Sequence, residues 1–156
     1  MSELITACQK NDTKLAIKLI ENKTNLYLKD NNKWTALMWS CYNNNTELAI
    51  KLIENKANLY LQDSVGWTAL MWSCQENNIE IALKLIENKA NLDIQDNNGQ
   101  TALMHSCFEN TNIELALKLI ENKANLDIQD TFGWTALMIL CSQNITLILS
   151  ILIESI

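Results

Sequence analysis

Apolar residues in this chain come in short bursts of helical spacing, each closed by a polar break. Thr35 is followed by Ala36, Leu37, Met38, Trp39, Ser40 and Cys41, and a threonine in that place can accept the unpaired N–H groups of a first helical turn. The cluster Asn43–Asn45 ends the burst. From about Thr46 to Asn55, Leu48, Ala49, Leu52 and Ile53 fall on one side of a helix, which predicts an amphipathic second helix rather than a strand. Ala57–Asp63 then alternates like an extended arm, and Asp63–Gly66 reads as a turn. The predicted unit is helix, helix, extended turn.

That unit recurs, and a fixed period decides the fold class. Thr-Ala-Leu-Met begins at Thr35, Thr68, Thr101 and Thr135, in steps of 33, 33 and 34 residues, and Glu-Asn-Lys begins at Glu21, Glu54, Glu87 and Glu121 with the same steps. The extra residue falls in the polar stretch between Phe108 and Ile113, where an insertion is cheap. Cys8, Cys41, Cys74, Cys107 and Cys141 keep the register. On the outer face of helix two, Glu47/Lys51, Glu80/Lys84 and Glu114/Lys118 are spaced to pair across one helical turn.

The residues Asp63-Ser64-Val65-Gly66-Trp67-Thr68-Ala69-Leu70-Met71, then Glu80-Ile81-Ala82, then Leu85-Ile86-Glu87-Asn88-Lys89-Ala90-Asn91-Leu92 resemble the ankyrin repeat along the whole chain. The resemblance implies an all-α solenoid of stacked helix-turn-helix units with extended β-turn tips, in a single domain over 1–156. It also implies full repeats at about 30–62, 63–95 and 96–129, flanked by partial units at 1–29 and 130–156. The aspartates Asp30, Asp63, Asp96 and Asp130 would then anchor the turns rather than act as acids or bases. Alanine replaces the family's proline at Ala36, Ala69, Ala102 and Ala136, and lysine replaces the glycine that ends helix two. That lysine is expected to take a left-handed conformation, at a cost of about 1 kcal/mol.

Composition narrows the function. The net charge is −6 and none of the 12 basic residues is arginine, which argues against a phosphate-binding or nucleic-acid surface. The residues Met1–Lys10 lack the regions of a secretory leader, and the apolar run Ile145–Ile156 is shorter than the roughly 20 residues of a membrane span. An intracellular, cytoplasmic protein that binds no membrane is expected. The 21 asparagines, with no proline or arginine, read as a compositional bias of the coding sequence. Stacked repeats would hold equivalent cysteines about 10 Å apart, beyond the roughly 7 Å reach of a disulfide, so the thiols read as small buried residues without disulfide or metal. With one histidine, His105, no catalytic triad can be assembled and no cofactor is called for. His105 itself reads as a half-exposed packing residue.

The aromatics are the candidate functional residues. Trp34, Trp67 and Trp134 precede the capping threonine, Trp39 and Trp72 lie within helix one, and Tyr42, Phe108 and Phe132 lie near them by register, with His105 at the place of Trp39. By the resemblance these positions face a concave groove, so a non-enzymatic module binding another protein through its concave face is expected. The alternative for the rings is a structural ladder. That choice is open for Trp39 and Trp72, whereas for Trp34, Trp67 and Trp134 binding is favoured, because Gln100 interrupts the series without disturbing the repeat. The rival for the whole chain is a segment of a longer array or a self-associating chain, motivated by the apolar C-terminal run at Leu149, Ile151, Leu152 and Ile153.

Overall fold

Each threonine starts a helix for the reason its spacing suggests. In the computed structural model, which describes residues 2–108 and 113–142, the Oγ1 atoms of Thr35, Thr68, Thr101 and Thr135 accept the N–H of the methionine three residues on, at 3.2–3.4 Å. At Thr35 and Thr68 the methionine sulfur returns the bond by accepting the threonine N–H, at 3.3 and 3.4 Å. Methionine thereby closes a capping box normally made with glutamate or glutamine. The helices are α1 (Glu3–Gln9), α2 (Thr13–Glu21), α3 (Ala36–Tyr42), α4 (Thr46–Glu54), α5 (Ala69–Gln75), α6 (Ile79–Glu87), α7 (Ala102–Cys107) and α8 (Ile113–Glu121), with a further helical segment over 136–142.

Both helices of a unit end in the same way. After α3 the N–H of Asn44 reaches Cys41 O and that of Asn45 reaches Ser40 O; after α4, Lys56 N–H reaches Ile53 O and Ala57 N–H reaches Leu52 O. This is the Schellman arrangement, and it needs a left-handed residue. Asn11, Asn44 and Asn77 supply it after helix one (φ 54–57°), and Lys23, Lys56, Lys89 and Lys123 after helix two (φ 58–68°). The expected strain at the lysines is therefore present. At the turn tips Gly66, Gly99 and Gly133 are left-handed, with Lys33 in the same role in the first turn. Gly66 has a second constraint, since a Cβ there would sit 2.7 Å from the Asn97 nitrogen of the next turn.

α1, α3, α5 and α7 pack side by side in one row, α2, α4, α6 and α8 in a second, and each helix one lies on its own helix two. Leu37, Met38, Leu70, Met71, Leu103 and Met104 from the first row meet Leu48, Leu52, Leu85, Leu115 and Leu119 from the second in one continuous core. Burying each such side chain contributes about 1.5–3 kcal/mol. Among the described residues there is no strand. The turns are nevertheless linked in sequence: Ser64 N–H donates to Asn32 O, Asn97 N–H to Val65 O and Thr131 N–H to Asn98 O, at 2.9–3.1 Å.

Two expectations need correction. The helix-two ion pairs across one turn do not form. Lys51 instead reaches Glu21 of α2 at 3.4 Å, while Lys84 and Lys118 meet Glu87 and Glu121 three residues later, at 3.6 and 2.8 Å. Exposed pairs of this kind are worth under about 1 kcal/mol, so small differences in reach choose the partner. The asparagines, read as compositional bias, also hold the units together. Asn45 and Asn78 cap α4 and α6 through their Oδ1 atoms. Their Nδ2 groups reach back one unit, Asn45 to Asn11 and Thr13 and Asn78 to Asn44 and Thr46.

Cys8, Cys41, Cys74 and Cys107 are buried, and Cys141 is exposed. Burial pushes the Cys8 and Cys41 thiols up to about 12 and raises Cys74 and Cys107 as well. These four are neutral packing groups, poor nucleophiles and poor metal ligands. The inserted stretch between Phe108 and Ile113, and the apolar run at Ile145–Ile156 with its self-association expectation, lie outside the described residues.

Candidate functional site

Asp30, Asp63, Asp96 and Asp130 each close a turn with one carboxylate oxygen. Oδ1 of Asp63 accepts the N–H groups of Val65 and Trp67, both at 2.9 Å, and the other three repeat the pattern at 2.8–2.9 Å. This is the anchoring role that the sequence pattern suggests. The second oxygen has another task. Oδ2 of Asp30 accepts Trp39 Nε1–H at 3.0 Å, and Oδ2 of Asp63 accepts Trp72 Nε1–H at 3.1 Å. His105 Nε2 lies 3.1 Å from Asp96 Oδ2 in the equivalent place. One carboxylate thus fixes both a turn and the ring of the following helix.

Held in this way, the rings form a continuous stack. Trp39 meets Trp34 with centroids 4.4 Å apart, Trp34 meets Trp72 at 4.3 Å, Trp72 meets Trp67 at 4.4 Å and Trp67 meets His105 at 4.3 Å. Tyr42 stands edge-on to Trp34, Trp39 and Trp72, at 5.4, 6.0 and 5.4 Å, and Phe108 lies 6.3 Å from His105. Aromatic pairs of this kind contribute about 0.5–1.5 kcal/mol beyond their burial. Trp34, Trp39, Trp67 and Trp72 are half-buried, with one side against the core. Tyr42 remains 44% exposed.

Of the candidate residues, then, Trp34, Trp39, Tyr42, Trp67, Trp72, His105 and Phe108 come together. Trp134 and Phe132 make no ring contact with the stack; they are 42% and 84% exposed and line a separate cavity with Phe108. Trp67, for which binding is favoured by the sequence, is not an isolated ring: it is half-buried and packed between Trp72 and His105. The half-exposed reading of His105 is corrected: only 5% of it is exposed, and the Asp96 carboxylate holds it inward. Burial alone would raise the Asp96 carboxyl. The hydrogen bond to His105, the N–H groups of Gln100 and Asn98 and the attraction of His105 outweigh it and hold the carboxyl below its usual range.

The ring-holding role of the aspartates was missed in the sequence, although a signal exists: Asp30 to Trp39, Asp63 to Trp72 and Asp96 to His105 are each nine residues apart. Asp130 to Ile139 has the same spacing, but there the ring is replaced by an aliphatic side chain with nothing to donate.

A family model described as ankyrin repeats (3 copies) matches residues 4–96, 51–130 and 84–156. The chain belongs to the ankyrin-repeat family, whose repeats are generally protein–protein interaction modules. No curated protein matches it. Among the described residues, no helix is long and apolar enough to cross a membrane.

Proposed function

We propose that this chain is a non-enzymatic module that holds another protein against its concave side, with the outer edge of the aromatic stack as the contact surface. The observation that carries the reading is the stack itself. Its rings are fixed from behind by core packing and by the turn carboxylates, and its upper member Tyr42 is left open to solvent. Rings fixed before binding lose little freedom on contact, and large amphipathic aromatics supply much of the binding energy in protein interfaces. Buried neutral thiols fit a reducing, cytoplasmic setting.

A photo-cross-linking residue placed at Tyr42 tests this. In an extract of the source cells it should capture a partner that the same probe at Lys51, on helix two, does not. Equal capture at both places would remove the proposed face. A second reading, self-association or a longer array, keeps as its motive the apolar run at Leu149, Ile151, Leu152 and Ile153. Sedimentation at several concentrations separates the two, since only self-association makes the mass rise with concentration.

A further inference from the structure

The ladder fails at one place, and the failure leaves a carboxylate oxygen unused. In the first three turns both oxygens of the aspartate are occupied, one by the turn and one by the ring N–H of Trp39, Trp72 or His105. Asp130 keeps the turn half of this scheme, accepting the N–H groups of Phe132 and Trp134 at 2.9 Å. At the ring position stands Ile139, and Asp130 Oδ2 has no hydrogen-bond or ion-pair partner among the described residues. Gln100 meanwhile occupies the place from which Trp34 and Trp67 bridge one unit's ring to the next. Two successive rungs are therefore missing. In their stead is an open cavity of about 350 Å³ lined by Gln100, Phe108, Asp130, Phe132, Trp134 and Ile139, at the small end of the range for ligand sites.

We infer that this cavity receives one arginine side chain from the partner, its guanidinium lying against the aromatic walls and donating to Asp130 Oδ2. Each part of the site selects for that group. The missing rungs ask for something planar, and a guanidinium stacks on aromatic faces where an ammonium presents no plane. The unused oxygen asks for an N–H donor, which arginine supplies as a cation, making the hydrogen bond charge-assisted. A partner's indole could also stack and donate, but it would leave the carboxylate uncompensated. The chain's net charge of −6, with no arginine of its own, favours the cationic group. This assignment rests on the reading that this side of the array meets a partner protein, and it names the chemistry of one contact there.

The test uses the whole chain with nitrogen-labelled tryptophans and the blocked pentapeptide Gly-Gly-Arg-Gly-Gly, beside versions with lysine, norleucine or tryptophan at the centre. At millimolar concentration the arginine peptide should move the Trp134 indole signal saturably and leave those of Trp39 and Trp72 in place. Its affinity should exceed that of the lysine peptide several-fold and fall about tenfold in Asp130→Asn, which retains an oxygen to hold the turn. Ile139→Trp, which supplies a ring and a donor from within, should abolish the response and keeps the test decisive if Asp130→Asn unfolds the last turn. A Trp134 signal that does not move, an equal response to norleucine, tighter binding of the tryptophan peptide, or an unchanged affinity in Asp130→Asn would each overturn the assignment. Failure here alongside successful cross-linking at Tyr42 removes only the arginine site. An arginine response without cross-linking at Tyr42 supports the site and removes the face-wide reading.

Discussion

In the turns of Asp30, Asp63 and Asp96 each carboxylate serves a ring of the stack as well as its turn; at Asp130 the same backbone turn persists, but Ile139 stands at the ring position and Phe132 and Trp134 touch no ring of the stack. Asp130 closes its turn at the distances seen in the three earlier turns, although Ile139 offers its second oxygen nothing. The repeat backbone therefore depends on the threonine cap, the left-handed residues and one aspartate oxygen. The rings are a separate layer laid over it, free to vary from unit to unit. Where the layer is complete it stiffens the array, and where it is broken it leaves unused polar and aromatic surface. The two regions thus differ in what they leave open: a packed ring layer in one, an unused carboxylate oxygen and exposed rings in the other.

The sharpest way to break this comparison is to remove one ring from each region. Trp72 touches Trp34, Tyr42 and Trp67 and donates to Asp63, so Trp72→Ala should lower the unfolding free energy by about 3 kcal/mol, near the low end for buried aromatics. Trp134→Ala should cost under about 1 kcal/mol, as expected for an exposed side chain. Urea denaturation of both variants checks the pair; equal losses would mean that the ladder is not a distinct layer.

A subtler contrast concerns the carboxylates. In Asp63→Asn one oxygen can still hold the turn, but the new amide faces Trp72 Nε1–H donor to donor, which should cost about 1–3 kcal/mol. Asp130→Asn meets no such conflict and should stay within about 0.5 kcal/mol of the parent chain. Acid should reveal the same link at Asp96. Its carboxyl is held below the usual range when folded, so its contribution is complete above the unfolded carboxyl value near about 4 and disappears as pH falls through the folded value. Thermal melts from pH 6 downward should show Asp96→Asn losing less stability across that acid window than the parent chain.

Much of the fold was legible because it depends on local residues. The threonine caps, the helix-two faces and the left-handed lysines could all be read within a few positions, and α4 ends at Glu54, one residue before the expected Asn55. What escaped the sequence was contact across units. Asn45 and Asn78 looked like composition because a one-dimensional pattern does not show that Nδ2 reaches the previous unit. Lys51 looked paired with Glu47 because Glu21 is distant in sequence and adjacent only after stacking. The aromatic candidates were found by register, but their division into a packed stack and an exposed pair depends on what Gln100 and Ile139 fail to supply. A modest effect of opposite sign is expected on the local side of this divide. Lys56 is left-handed at φ 64°, so Lys56→Gly should stabilise by about 1 kcal/mol, visible as a higher melting temperature.

The proposed recognition role of the aromatic stack is tested most directly at Tyr42, its exposed member. With the partner captured by cross-linking, the affinity of the parent chain and of Tyr42→Ser can be measured by calorimetry beside their urea stability. Tyr42→Ser is expected to weaken binding by about 2 kcal/mol, the threshold of an interface hot spot, while the variant stays folded with a smaller stability loss than Trp72→Ala. An unchanged affinity, with the loss appearing in stability alone, would contradict the recognition role and leave the aromatic stack as a purely structural ladder.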